Sequence, residues 1–168
     1  DQVIFPNSTF GFTCKRAAEL IRDRTLSVRF IYLEVDGFDT HTNERQLLTQ
    51  LMTDMNGGLS ALVAELKRIG RWNDVSIVTM SEFSRTFENG NGGSDHGHAG
   101  PMMIMGGGIR GGIKSPAPSA SAYRAGYFHD YQIDFRQPFY EIARQMGSNA
   151  DAIFPERIAF RQLNLFKA

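Results

Sequence analysis

Three of the four histidines in this chain lie in two polar loops that also carry acidic residues. The first loop contains DGFDTH, and the second contains GGSDHGH. Imidazole nitrogens and carboxylate oxygens together suit zinc, manganese or iron, and carboxylates gathered in one cleft repel one another unless a cation neutralises them. The pattern therefore predicts one or two divalent metal ions, with zinc preferred. The candidate ligands in these loops are Asp36, Asp39, His41, Asp95, His96 and His98.

Glu82 is a further candidate ligand, because it follows the apolar run of residues 75–80 (VSIVTM) almost directly. If the apolar runs are neighbouring parallel strands, the loop at 36–41 and Glu82 open on the same edge of the sheet. Taken alone, Glu82 could instead be a helix N-cap partner or form an ion pair with Arg85. Each loop alone is compatible with a turn that holds a solvated histidine, and their joint pattern favours the metal site. For the remaining histidine, His129, we expect a packed or hydrogen-bonded side chain.

The elements that must position these residues alternate between helix and strand. Apolar side chains recur at three- and four-residue steps where a helix is predicted, and strand-length runs are rich in β-branched and aromatic residues. This order predicts an α/β fold with a mostly parallel sheet flanked by helices. The predicted helices are 13–24, 44–69 and 136–146, the predicted strands are 28–35, 75–80 and 101–109, and the predicted long loops are 81–100 and 110–126.

Glycines and threonines predict where the helices are capped and where the long helix bends or breaks. The pair Gly57-Gly58 is expected to kink the long helix or split it in two, and Gly70 sits where a C-terminal cap glycine belongs. Thr9 or Thr13 is expected to cap the first helix.

The composition excludes several classes of protein. Eighteen basic and eighteen acidic residues cancel without a long run of either sign, which argues against a nucleic-acid binder. No apolar stretch reaches the ~18 residues that a membrane helix needs. The single cysteine, Cys14, has no partner for a disulfide and is predicted to be a small buried residue on a helix. Residues 1–168 are predicted to form one domain, and the opening DQVIFPNSTF suggests a fragment of a longer protein.

Several motifs together resemble the bacterial domain-of-unknown-function family 1501. They are DGFDTH, a long helix, VSIVTMSEFSRT and GGSDHGHAGPMMIMGGGIRGG, and the resemblance runs from about Phe5 to the end. In the tail, Asp134, Arg136 and then Phe154-Pro155 fit the same family. That family is grouped with the alkaline phosphatase and sulfatase superfamily. The resemblance thus implies an alkaline-phosphatase-like fold, of which this chain is the C-terminal, metal-binding part.

The resemblance also implies roles for individual residues. Asp39 or Asp36 with His41 would form the first ligand pair, and Glu82 would stand at the strand-end ligand position. His96 would be the later histidine, with Asp95 or His98 beside it. At the strand end this chain reads Ser-Glu-Phe, where the superfamily has an Asp-His pair.

A missing N-terminal segment of the same protein is the partner that the resemblance implies. The superfamily carries its serine, threonine or modified cysteine nucleophile near the N-terminus, and this chain starts after that place. Many family members resemble exported proteins, so a periplasmic or otherwise exported location is expected.

The function expected from these features is metal-dependent hydrolysis of a phosphate or sulfate ester, with a small anionic ester as substrate. Arg85 is the candidate for neutralising charge on the transferred group, because a guanidinium suits planar anion recognition. A surface salt bridge is its alternative role. The alternatives for the whole chain are a non-catalytic binding module that retains the fold, and a structural metal that ties down the long loop.

Overall fold

The computed structural model describes residues 2–116, 119–129, 133–156 and 162–167. The chain divides into two compact units, and the single domain expected from its length stays a prediction. The first unit comprises Asp1–Asp74 and Thr86–His96, and the second comprises Val75–Arg85 and Gly97–Ala168. Among the residues just given, none of the helices combines the length and the apolar character required to cross a bilayer.

Two helices that pack against each other form the core of the first unit, α1 (Thr9–Arg22) and α2 (Glu44–Arg68). Burial of their apolar side chains removes area from water, and each fully buried large side chain contributes roughly 1.5–3 kcal/mol. The buried side chains of this interface are Phe10, Cys14, Ala17, Ala18, Ala61, Leu62 and Leu66.

Cys14 lies inside this interface, as predicted for a small buried residue on a helix. Its side chain is fully buried. Burial raises the pKa of the Cys14 thiol to about 11, and the nearby Asp54 carboxylate adds to the shift. The thiol therefore stays protonated at neutral pH, and Cys14 packs as a small apolar residue.

The cap of α1 is Ser8, and the prediction of Thr9 or Thr13 is wrong. The Ser8 hydroxyl accepts a hydrogen bond from the Gly11 backbone N–H at 3.1 Å, which satisfies one of the free amides of the first turn. The same hydroxyl also donates to the Asp54 carboxylate of α2. The helix begins before the predicted residue 13 because Ser8 offers the backbone a cap further upstream.

The long helix α2 runs without interruption through Gly57-Gly58, so the expected split is wrong, whereas the expected kink stays a prediction. A β-carbon at Gly58 would lie 2.7 Å from Cδ1 of Phe10 and 3.1 Å from Sγ of Cys14. Gly58 therefore permits the close approach of the two helices. The predicted capping glycine is confirmed, since Gly70 follows the helix with φ of +70°.

We expect Gly58→Ala to lower the free energy of unfolding by about 1–3 kcal/mol, because the added methyl overpacks the helix interface. An unhindered Gly→Ala change in a helix gains up to ~1 kcal/mol instead. Gly57→Ala is the matched control, since its β-carbon would meet only Pro6, at 3.1 Å, outside the buried interface. Urea denaturation of both variants measures the difference. Equal stabilisation of the two variants would contradict close packing at Gly58.

Residues 28–35 do not form the predicted strand. The segment has no regular secondary structure, and no strand among the described residues pairs with it. Alternate side chains stay in solvent, with Phe30 77% and Tyr32 70% exposed. A strand is completed only when a neighbour supplies partners for its backbone groups, and the β-rich composition of VRFIYLEV cannot supply that neighbour.

The described residues contain three two-stranded sheets. The pairs are β1 with β4, β2 with β3, and β5 with β6. The strands are short, and most of the described residues outside the helices lie in loops. Their bounds are β1 (Ile77–Val78), β2 (Ser84–Glu88), β3 (Ser94–Gly97), β4 (Ile104–Met105), β5 (Tyr123–Arg124) and β6 (Tyr127–Phe128).

The predicted parallel pairing is wrong for β1 and β4, which are antiparallel with Ile77 opposite Met105. Parallel neighbours need a crossover of a dozen or more residues, usually a helix. Residues 79–103 contain no helix and fold instead into β2, β3 and their connections. The chain therefore returns directly beside β1. A mostly parallel sheet is absent from the described residues, and the α/β class stays a prediction.

The second unit also contains the short pair β5 and β6, α3 (Arg136–Gln145) and α4 (Ala150–Ile153). The predicted helix 136–146 is confirmed by α3, whereas part of the predicted loop 110–126 forms β5. Residues 117–118 of that loop, and 157–160 of the tail, lie outside the described residues.

Candidate metal centre

Two loops of the first unit are fastened to each other at the candidate metal centre. The Ser94 backbone N–H donates to the Thr40 carbonyl at 3.3 Å, and the Glu44 N–H donates to the Gly92 carbonyl at 2.9 Å. The Ser94 hydroxyl donates to the Glu44 carboxylate at 2.6 Å. The loop before α2 is thus held against the turn between β2 and β3 by bonds that require no ion.

Gly93 makes the closest contact between these loops. A β-carbon at this position would lie 2.1 Å from the carbonyl carbon of His41 and 2.5 Å from the backbone nitrogen of Thr42. These are backbone atoms, which cannot swing aside as a flexible side chain would. Its neighbour Gly92 has φ of +72°, a left-handed conformation that glycine adopts without strain. The two glycines therefore let the loops bend and come into contact.

The structure brings together three of the predicted ligands, Asp39, His41 and His96. Oδ1 of Asp39 lies 3.1 Å from Nδ1 of His41 and 2.7 Å from Nε2 of His96. One ligand atom from each residue lies within 4.8 Å of the other two. Within the ranges that the structure describes, no other group of three His, Cys, Asp or Glu side chains converges in this way.

This donor set fits a divalent transition metal. Two imidazoles and one carboxylate are ligands that zinc accepts at ~2.0–2.2 Å. The three side chains are 48–58% exposed, so the site is open to solvent. Three protein ligands with an open position are typical of catalytic zinc, whereas structural zinc is usually closed by four.

Asp95 lies beside this group and is not a member of it. Its Oδ1 is 3.9 Å from Nε2 of His41. The Asp95 backbone N–H donates to the Thr86 hydroxyl at 2.9 Å, which fixes the residue on β3. Asn89 donates from its side-chain amide to both the His41 carbonyl, at 3.1 Å, and Oδ1 of Asp95, at 3.3 Å.

Asn89 is a residue of the site that the sequence analysis does not predict. The signal that could have identified it is its position in the turn-forming segment ENGNGG, where an asparagine side chain bonds its own backbone. Its Oδ1 accepts from the Asn91 N–H at 2.9 Å, which is such a turn bond. Its contact with the His41 carbonyl spans 48 positions of sequence, and no local pattern encodes it.

The other predicted site residues are not members of the three-residue group. Asp36 is exposed in the first unit and outside the three-residue group. Glu82 and Arg85 belong to the second unit, where Glu82 is exposed and the Arg85 guanidinium lies 5.6 Å from the Phe83 ring centroid. Ligation by Asp36 and Glu82, and anion binding by Arg85, stay predictions.

The remaining two histidines are in the second unit. His98 stacks on Tyr127 with ring centroids 4.9 Å apart. His129 is within hydrogen-bond distance of the Arg124 carbonyl, at 3.3 Å from Nε2, which confirms the hydrogen-bonded histidine predicted there. Ligation of a metal by His98 stays a prediction.

A protein-family model described as "Protein of unknown function (DUF1501)" matches residues 9–158. The matched span contains both loops of the metal centre and every predicted site residue. No curated protein and no solved structure matches the chain.

Proposed function

Because this chain belongs to the DUF1501 family of proteins of unknown function, we propose its activity from its own geometry: it binds a divalent metal ion, zinc first, and hydrolyses phosphate or sulfate esters. The observation that carries the proposal is the convergence of Asp39, His41 and His96 on one point of the first unit. Imidazole and carboxylate ligands in this ratio are the set used by hydrolytic zinc sites.

The open position of the site supports hydrolysis. All three ligand side chains remain about half exposed, so a small anionic ester has access to them. A bound divalent ion supplies Lewis acidity towards an ester oxygen and lowers the pKa of water. The Asp39 carboxylate faces both imidazoles and offsets part of the charge of such an ion. Arg85 is proposed to neutralise charge on the transferred group.

We extend the proposal to the wider family relationship predicted from the sequence. The chain would be the C-terminal part of an alkaline-phosphatase-like α/β fold within the alkaline phosphatase and sulfatase superfamily. Support comes from the order of the motifs along the chain. An N-terminal segment of the same protein would carry the nucleophile, and the protein would be periplasmic or otherwise exported.

A structural ion in a non-catalytic module is the second candidate function. The hydrogen bonds from Ser94 to Thr40 and Glu44 argue against it, because they already fasten the loops without an ion. A structural ion also favours a closed set of four ligands, and this group has three.

Metal analysis joined to an ester-hydrolysis assay tests the proposal on the complete protein. We expect about one equivalent of zinc per centre, turnover of an aryl phosphate or aryl sulfate ester, loss of turnover on chelation, and recovery with added zinc. Metal-free protein that binds no added zinc, manganese or iron would overturn it. Chelation that lowers the melting temperature of a protein without turnover would establish the structural alternative instead.

A further inference from the structure

We propose that Asp95 is not a metal ligand but an outer carboxylate, one that hydrogen-bonds a ligand instead of the ion. It would orient His41 by accepting a hydrogen bond from the ring nitrogen that faces away from the metal. Asn89 would position Asp95 for this role. The inference rests on the proposed metal binding and assigns Asp95 a different part from the ligand predicted in the sequence. Outer carboxylates of this kind fix the tautomer and the ring angle of a coordinating histidine.

The two ring nitrogens of His41 face different carboxylates. Nδ1 lies 3.1 Å from Oδ1 of Asp39, the atom that also lies 2.7 Å from Nε2 of His96. Nδ1 is therefore the nitrogen on the metal side. Nε2 lies on the other side of the ring, 3.9 Å from Oδ1 of Asp95. A histidine that coordinates through Nδ1 carries its proton on Nε2, and that N–H points to an anion here.

Asn89 connects this carboxylate to the residue that it orients. The two donor hydrogens of its amide are both used, one on the His41 carbonyl and the other on Oδ1 of Asp95. Its oxygen accepts from the Asn91 N–H, so the amide cannot turn over without losing a bond. Asn89 thus holds the Asp95 carboxylate at a fixed position relative to the His41 backbone.

The distance of 3.9 Å between Nε2 and the carboxylate is that of an ion pair rather than a hydrogen bond. The His41 side chain is 48% exposed and that of Asp95 is 58% exposed, so a small rotation of either side chain would shorten the contact. Coordination at Nδ1 leaves Nε2 as a donor with an anionic acceptor beside it. The two contacts of the ring then restrain its χ angles together.

Metal affinity is the first test. In zinc-competition titrations we expect Asp95→Ala and Asn89→Ala each to weaken binding by about 10–100-fold, the range for removal of an outer partner. Asn91→Ala is the matched control, because Asn91 contributes its backbone N–H to the Asn89 contact and its side chain lies in the same exposed turn. Wild-type affinity in Asp95→Ala would overturn the inference while leaving the proposed metal binding intact.

Spectroscopy separates an outer carboxylate from a ligand. In the zinc-loaded protein, ¹⁵N NMR is expected to show His41 with its proton on Nε2. In the cobalt(II)-loaded protein, Asp95→Ala is expected to leave the intensity of the visible bands unchanged, because the coordination number is the same. A proton on Nδ1, or bands altered by Asp95→Ala, would overturn the inference. Failure of the wild-type protein to take up either ion would overturn the proposed function as well.

Discussion

His96→Ala is expected to weaken zinc binding by more than about 100-fold, beyond the effect of removing an outer partner. Such a change corresponds to at least ~2.7 kcal/mol of binding free energy. Nε2 of His96 lies 2.7 Å from the Asp39 carboxylate, and no other imidazole among the described residues can replace it at that point. Competition with a chromophoric chelator measures the affinity.

The stability of His96→Ala serves as an internal check. The side chain is 52% exposed, so its truncation should change the free energy of unfolding by no more than ~0.5 kcal/mol. His129→Ala is the matched control, since this exposed histidine hydrogen-bonds its own strand pair in the second unit. Full zinc affinity in folded His96→Ala would remove the observation on which the proposed function rests.

Gly93→Ala is expected to abolish zinc binding without altering any ligand. The new methyl would lie 2.1–2.5 Å from backbone atoms of His41 and Thr42, so the two loops must separate. Overpacking against backbone costs about 1–3 kcal/mol or more, and here the displaced loop carries Asp39 and His41. Thermal unfolding followed by circular dichroism gives the stability, and the chelator titration gives the affinity.

Gly92→Asn is the control for Gly93→Ala. Gly92 needs a left-handed backbone, which asparagine tolerates, and its β-carbon would come no closer than 3.8 Å to the Asn43 nitrogen. This variant should retain the affinity of the wild type. If Gly93→Ala also binds zinc as the wild type does, the close contact between the loops is not part of the site.

Local sequence signals predicted what depends on local interactions. The helices were identified from their apolar periodicity, and Gly70 from the left-handed residue that ends a helix. The histidines and carboxylates of two short polar loops predict Asp39, His41 and His96 as ligands, and the structure brings these three side chains together. Cys14 was assigned to the interior because a lone cysteine without a partner behaves as a small apolar residue.

The failures concern partners distant in the sequence. Residues 28–35 have the composition of a strand, yet pairing depends on a neighbour that composition does not encode. The direction of β4 depends on whether residues 79–103 form a crossover helix. Much of this segment is polar and glycine-rich, which already argues against such a helix. Asn89 and Gly93 act through contacts with residues some fifty positions away, which no spacing rule reveals.

The hydrogen bonds that hold Ser94 to Thr40 and Glu44 have a consequence for the time at which the proposed ion would bind. Since the loops are already held together, binding of an ion would not have to order them, and little conformational entropy would be lost on binding. Uptake of the proposed ion can then follow folding as a separate event. The local supply of ions, rather than the folding pathway, would set which metal occupies the centre.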